Sequence, residues 1–145
     1  MKITIEESKD IEETEIHIKC SAITEDLSKI IAAISLYDNI VVGVIDNTSY
    51  MIKAADIFYF ETIDNRVFIY TEDKTYETML KIYEIEEKFK STSFVRISKS
   101  AVVNLRKISS IQRKPYSKLI AELINGEKII ISRHYMPDIA AKLGI

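Results

Sequence analysis

Short apolar segments, rich in β-branched and aromatic residues and separated by turn-forming residues, follow one another from residue 40 to residue 132. Segments of this kind are typical of strands, and many short strands must pair into sheets around a shared core. The predicted strands are residues 40–45, 50–53, 56–61, 66–71, 94–98, 102–111 (with a break near Arg106), 118–124 and 127–132. The sequence therefore predicts a mainly β fold with flanking helices.

Three turn signals fall between these strands. Asp46-Asn47 turns the chain towards Tyr50, and residues 62–65 separate two apolar strands. Asn125-Gly126 is the strongest of the three signals. It predicts a type I′ hairpin, in which both central residues need a positive φ.

Two helices are predicted beside the strands. One extends from about Tyr76 to Phe89, and a short one closes the chain with Pro137 in its first turn. The apolar side of the first helix consists of Met79, Ile82, Ile85 and Phe89, and that of the second consists of Ile139, Ala140 and Leu143.

The first 37 residues predict two strands and a helix. Ile16, Ile18 and Cys20 alternate with polar residues, as in a half-buried strand. Thr24 can cap a helix whose first turn is acidic. The apolar face of that helix consists of Leu27, Ile30, Ile31 and Ile34. So small an element must bury this face against the rest of the chain or against a second copy.

The chain has 145 residues, 47% of them hydrophobic and 29% charged, which suits a packed core. No apolar run approaches the roughly 18–20 residues that span a bilayer. The N-terminal residues lack the layout of a signal peptide, and a single cysteine, Cys20, cannot form an internal disulfide. We therefore expect a cytoplasmic protein without membrane insertion.

Charge is distributed unevenly along the chain, although the net charge is only −2. Residues 1–49 contain four Lys/Arg and ten Asp/Glu, whereas residues 50–145 contain 16 and 12. No carboxylate lies between Glu87 and Glu122, where nine Lys or Arg residues fall. This asymmetry indicates a polyanionic partner, although a solvated basic face would give the same pattern.

Residues 94–108 (FVRISKSAVVNLRKI) closely resemble the central signature of LytTR DNA-binding domains. Three further segments agree in order and spacing: DIFYFE at residues 56–61, the Asn-Gly-Glu hairpin, and ISRHY at residues 131–135. Together they cover about residues 47–144. The resemblance implies an elongated, multi-sheet β fold whose strand-connecting loops, rather than a recognition helix, enter successive major grooves of double-stranded DNA.

The resemblance also implies three contact sites. The first is Asn65 with Arg66, residue types that hydrogen-bond the edges of adenine and guanine. The second is Lys99 with Ser100, which can hold a phosphate or a guanine acceptor. The third is Arg133 with His134. Relatives usually have Arg or Lys at the His134 position, so the charge of this contact would depend on pH.

Other polar residues of the matched region are expected to have weaker roles. Five cations are candidates for contact with DNA phosphates: Arg96, Arg106, Lys107, Arg113 and Lys114. Arg96 could instead brace the loop that carries Lys99. Asn104 lies among buried strand residues, and we expect it to satisfy backbone groups rather than to meet a ligand.

No catalytic constellation, spaced metal-binding pattern or glycine-rich phosphate loop occurs in the sequence, so no enzyme activity, metal or cofactor is predicted. The predicted function is sequence-specific binding of double-stranded DNA in bacterial transcription regulation. One such domain makes few contacts, so a homodimer is expected. Residues 1–46 are predicted to be an acidic β-β-α element that could dimerise, and residues 47–145 the DNA-binding domain. The alternatives are a protein-interaction module and an RNA-binding module on the same basic surface.

Overall fold

The computed structural model describes residues 1–12, 14–37 and 39–145, except for the side chain of Ser117. The described residues form ten strands and three α-helices, joined in places by short 3-10 turns. In chain order these are α1 (Glu25–Tyr37), β1 (Ile40–Ile45), β2 (Thr48–Lys53), β3 (Tyr59–Ile63), β4 (Arg66–Tyr70), β5 (Thr75–Thr78), α2 (Ile82–Lys88), β6 (Phe94–Arg96), β7 (Ala101–Asn104), β8 (Ile108–Lys114), β9 (Lys118–Leu123), β10 (Lys128–Ile131) and α3 (Met136–Leu143).

Seven strands form one antiparallel sheet in the order β2-β1-β5-β4-β3-β7-β6. Its first core lies beneath α2, where the rings of Phe60, Phe89 and Phe94 pack together. Strand β1 precedes the predicted domain boundary at residues 46 and 47, yet it pairs with both β2 and β5. Residues on the two sides of that boundary therefore share one sheet.

The remaining strands form a second antiparallel sheet in the order β10-β9-β8. A second core is shared by residues of both sheets and by α3, and it includes Phe58, Val103, Leu123 and Ile139. Asn104, the last residue of β7, is buried. Its amide nitrogen donates to the Ile57 carbonyl, and its oxygen accepts from the Ser93 hydroxyl and the Arg106 N–H. The predicted structural role of Asn104 is confirmed.

The mainly β fold is as predicted, and β1 has the predicted bounds. The break near Arg106 is a 3-10 turn between β7 and β8, and Pro137 lies in the first turn of α3. Strand β3 begins three residues later than predicted, because residues 54–56 form another 3-10 turn.

The predicted helix from Tyr76 to Phe89 is wrong in its first half. Residues 75–78 form β5, which pairs with β4 and β1, and α2 begins only at Ile82. Tyr76 is buried against the sheet, whereas Met79 is 90% exposed instead of lying on an apolar helix side. Pairing with two neighbouring strands outweighs a local helical spacing that isolated helices of this length could not sustain.

The Asn125-Gly126 hairpin is not of type I′, because only Gly126 has a positive φ. The Gly126 N–H donates to the Leu123 carbonyl, so the central residues of that turn are Ile124 and Asn125. The Asn125 side chain instead accepts the Glu127 N–H. Two-residue turns with positive φ at both positions do occur, but at Asp46-Asn47 and Asp64-Asn65.

The two predicted N-terminal strands are absent from the described residues 1–12 and 14–24. Ile16, Ile18 and Cys20 are exposed there rather than half-buried. Thr24 does cap α1, since its hydroxyl oxygen accepts the Leu27 N–H at 3.2 Å. A strand needs a partner, and residues 15–20 have none among the described residues.

The buried residue of helix α1, Leu36, lies outside the predicted apolar face. Leu36 is buried in the first core, and Ala32 and Ala33 are half-buried. Ile31 and Ile34 of the predicted apolar face are each 37% exposed. Leu27 and Ile30 of the same face are half-buried, so only the part of the face formed by Ile31 and Ile34 is open to solvent.

Candidate nucleic-acid interface

The turn between β3 and β4 carries the first predicted contact site. Asp64 and Asn65 both have positive φ, 51° and 62°, and Ile63 pairs with Arg66 across them. Asn and Asp tolerate this conformation better than other residues with side chains. The tight turn leaves Asn65 exposed at the tip of the hairpin.

Arg66 is held by a carboxylate of the neighbouring strand. Its Nε donates to Glu77 Oε1 at 2.9 Å and its Nη2 to Oε2 at 2.5 Å, and its guanidinium lies 5.4 Å from the Phe68 ring centroid. These hydrogen bonds lower the pKa of Glu77 and raise that of Arg66. Three of the five guanidinium N–H groups remain for another acceptor.

The loop between β6 and β7 carries the second site. The Ile97 N–H donates to the Ala101 carbonyl at 3.0 Å and closes the loop, while the Ser100 N–H donates to the Ser98 hydroxyl. The Lys99 side chain is exposed, and Ser100 is half-buried. The backbone thus presents the lysine outward at the tip of the loop.

Arg96 braces this loop from below. Its Nε donates to the Ser98 carbonyl at 2.8 Å, its Nη2 donates to the Lys99 carbonyl, and its Nη1 meets Glu86 of α2 at 2.5 Å. The side chain is only 16% exposed. The bracing role suggested by the sequence is confirmed, whereas its contact with phosphate stays a prediction.

The third site follows β10. Residues Arg133–Tyr135 form a 3-10 turn, in which the Tyr135 N–H donates to the Ser132 carbonyl. Arg133 and His134 are exposed, and the His134 ring meets the Tyr135 ring edge to face at 5.1 Å. The turn points two consecutive polar side chains away from the second core.

Backbone hydrogen bonds bring the three sites together. The Thr62 N–H, just before the first turn, donates to the Ser100 carbonyl at 2.7 Å. The Ser132 N–H donates to the Ile97 carbonyl at 2.8 Å. The β3–β4 turn, the β6–β7 loop and the turn after β10 therefore occur side by side, and we call this set of loops the loop end.

The other predicted cations divide between two places. Arg106 and Lys107 follow β7, at the end of that strand opposite to Ser100, and Lys107 Nζ lies 5.1 Å from the Phe58 ring centroid. Arg113 and Lys114 end β8. Because Arg113 and Ile131 both pair with Leu119, the end of β8 lies on the Ser132 side of the second sheet.

The hairpin between β8 and β9 adds a residue that the sequence analysis missed. Tyr116 is fully exposed and has a φ of 64°, unusual for an aromatic residue, between Lys114 and Lys118. Tyr116 follows the basic and turn-forming residues Arg113-Lys114-Pro115. This combination is the sequence signal that could have predicted an exposed residue in a basic turn.

Metal-binding groups and membrane-spanning helices are two other features that the described residues could contain. Over residues 1–12, 14–37 and 39–145, no group of three or more His, Cys, Asp or Glu side chains could hold a metal ion. Among those same residues, no helix is both long and apolar enough to cross a membrane.

Comparison with known proteins identifies the family. The LytTr DNA-binding domain family matches residues 47–144, and the chain belongs to this family. The fold agrees with that of the LytTr DNA-binding domain of a protein described as a methyl-accepting/DNA response regulator from Bacillus cereus. That similarity has a TM-score of 0.69 at 22% identity, and it covers 74% of this chain and 99% of the other.

Whole-length relatives come from Staphylococcus aureus. One from strain NCTC 8325 / PS 47, described as an HTH-type transcriptional regulator, is 27% identical over all of this chain and 99% of its own length. Another, from strain MSSA476 and with the same description, is 28% identical over 92% of this chain and 91% of its own length. The helices α1, α2 and α3 described here are separated by strands, an arrangement different from a helix-turn-helix.

Proposed function

We propose that this protein is a transcriptional regulator that binds double-stranded DNA in a sequence-specific manner through the loop end. Asn65, Lys99 and His134 read base edges in successive major grooves, and Arg66, Ser100 and Arg133 assist them. The observation that carries the proposal is the pair of backbone hydrogen bonds, Thr62 to Ser100 and Ser132 to Ile97, that bring three polar loops side by side.

The chemistry of the loop end supports this function. Amide and guanidinium groups can make paired hydrogen bonds to adenine and guanine, and lysine can contact phosphate or guanine. Asn65, Lys99, Arg133 and His134 are all exposed, so contact with DNA needs no unfolding of either core. Arg66 can meet a phosphate while Glu77 holds it, because its remaining N–H groups are free of that carboxylate.

The remaining cations are assigned by position. Arg113 and Lys114 lie on the Ser132 side of the second sheet and can extend the contact along the DNA backbone. Arg96 acts by positioning Lys99. Arg106 and Lys107 occur at the far end of β7, so we assign them the weakest share of phosphate contact.

Titration with duplex DNA at several salt concentrations tests the proposal. A specific duplex is first selected from a random pool and then compared with a scrambled duplex. Affinity should fall by about 0.9 log units per log unit of salt for each phosphate contacted, and the selected duplex should bind more tightly than the scrambled one. Equal binding of all duplexes would contradict sequence-specific function. Tighter binding of single-stranded RNA would favour the RNA-binding alternative. Absence of salt dependence would favour a protein-interaction module.

A further inference from the structure

The segment Glu15–Cys20 has the sequence of a strand but pairs with no other strand among the described residues. Ile16 is 62% exposed and Ile18 is 43% exposed, so two β-branched apolar side chains lie open to solvent. Glu15 and His17 contact each other at 2.8 Å, which places residues i and i+2 on one side as in an extended strand. The segment therefore has two distinct faces, one apolar and one charged.

Its apolar face lies next to helix α1. Thr14 and Ile16 line a groove of about 740 Å³ together with Ala33, Ile34 and Tyr37 of α1. Ile34 also belongs to the half-exposed apolar face of α1 that the sheet does not cover. Ile16 of the segment and Ile34 of α1 thus line one groove, to which Asn104, Arg106 and Lys107 also contribute.

We propose that a second copy of this chain covers this surface, and that residues 14–20 of the two copies pair as antiparallel strands about a two-fold axis at His17. In this register Ile16 lies opposite Ile18 of the partner subunit, and Glu15 lies opposite Lys19 of the partner subunit. Each of these pairs occurs twice. Opposite residues in antiparallel strands have Cβ atoms roughly 4.5–5.5 Å apart, close enough for both kinds of contact.

The charges of the segment select this register. A shift by one residue would put Ile16 opposite Lys19 of the partner subunit and mix the two faces. A register centred on Ile18 would put Lys19 opposite His17 of the partner subunit and Glu15 opposite its Ser21. The register centred on His17 places apolar side chains opposite apolar ones and opposite charges opposite each other. Because the two copies are related by a two-fold axis, each of these contacts is made twice.

A two-stranded pair alone is marginally stable, so the helix faces must take part. Ile34 and Tyr37 of α1, which line the groove with Ile16 and are 37% and 73% exposed, adjoin the strand pair and enlarge the apolar contact. This inference deepens the proposed function, because it names the contact of the expected homodimer. It is tested without DNA, so its failure and that of DNA binding can be told apart.

Cysteine cross-linking tests the register. In the proposed pair, residue 14 lies opposite Cys20 of the partner subunit, and Cα separations of opposite strand residues fall within the range that a disulfide needs. Thr14→Cys should therefore give a covalent dimer after mild oxidation, as seen in a non-reducing gel. The matched controls are the wild-type chain and Thr14→Cys with Cys20→Ser. In each control the single cysteines of the two copies would lie six positions apart along the strand pair, roughly 20 Å, and should not cross-link.

Charge reversal is the second test. Glu15→Lys and Lys19→Glu each place like charges opposite one another, and each should weaken dimerisation about three- to thirtyfold in sedimentation equilibrium. The double variant restores opposite charges and should recover dimerisation. Ile3→Asp, at an exposed isoleucine outside the segment, serves as the neutral control. A monomeric wild-type chain, cross-linking in either cysteine control, or a dimer unaffected by the single reversals would overturn the proposal.

Discussion

Tyr59 of β3 donates its phenolic hydrogen to Glu127 in the hairpin between β9 and β10, with 2.5 Å between the two oxygens. The bond joins the two sheets, whose described strands pair within each sheet and share the second core. The Tyr59 ring is buried and stacks on Tyr70 with 4.3 Å between centroids. Burial, followed by the hydrogen bond to Glu127, raises the pKa of Tyr59, so the phenol stays protonated and remains a donor.

Tyr59→Phe removes this bond and keeps the stacked ring. We expect the free energy of unfolding to fall by about 1 kcal/mol, because the exposed carboxylate of Glu127 regains water. Urea denaturation measures the change. In a double-mutant cycle with Glu127→Gln, the two changes should be coupled. Strictly additive effects would show that the bond contributes nothing.

Glu61, on the same strand, should make stability depend on pH. Burial, followed by repulsion from Glu127, raises the pKa of Glu61 above its usual range. The folded protein thus binds this proton more tightly than the unfolded chain does. Its contribution to stability is full below the unfolded pKa and is lost as pH rises through the folded pKa.

Glu61→Gln should therefore be more stable than wild type at pH 7, by roughly 1–3 °C in Tm. The difference should shrink as the pH falls towards 4, where the wild-type carboxyl is protonated. Thermal melts followed by circular dichroism between pH 4 and 8 measure this. Glu87→Gln, at an exposed position of α2, is the matched control for removal of one carboxylate charge. A variant that is less stable than wild type at pH 7 would contradict the assignment.

Sequence patterns predicted strands that flank a recognisable turn. Strand β1 and the β3–β4 hairpin are recognisable because apolar runs flank turn residues that accept positive φ. Strand β5 was not recognisable. Its partner β4 is close in the chain, but β5 has only four residues, and Met79 and Ile82 beside it, three positions apart, have a spacing that also suits a helix.

Some features of the candidate interface could likewise be predicted from the sequence, and others could not. The family resemblance supplied Asn65, Lys99 and Arg133, and local alternation suggested that Arg96 would support the loop of Lys99. The Arg66–Glu77 pair joins residues eleven positions apart on adjacent strands, so it follows from the strand register alone. A helix beginning at about Tyr76, as the sequence predicts, does not allow that register.

Arg96→Gln tests the bracing of the β6–β7 loop. The variant loses the guanidinium group that donates to the Ser98 and Lys99 carbonyls, so hydrogen exchange of the Ser100 N–H should become faster. Affinity for the selected duplex should fall although Lys99 itself is intact. Arg96→Lys should not restore it, because one ammonium group cannot reproduce the planar fork. Glu86→Gln, which removes only the outer ion pair, should have a smaller effect on exchange and affinity. Unchanged exchange in Arg96→Gln would exclude the bracing role.

Lys99→Ala and Phe94→Ala separate binding from folding within one short segment. Phe94 is 2% exposed and packs against Phe60 and Phe89, so its truncation should cost about 3–5 kcal/mol of stability. Lys99 is exposed at the loop tip, so its truncation should leave Tm unchanged and weaken binding to the selected duplex at least about fivefold. Lys90→Ala is the matched control, since this exposed lysine precedes β6 at the end away from the loop. If Lys99→Ala binds the selected duplex as tightly as Lys90→Ala does, the β6–β7 loop is not a reading element and the interface lies elsewhere on the molecule.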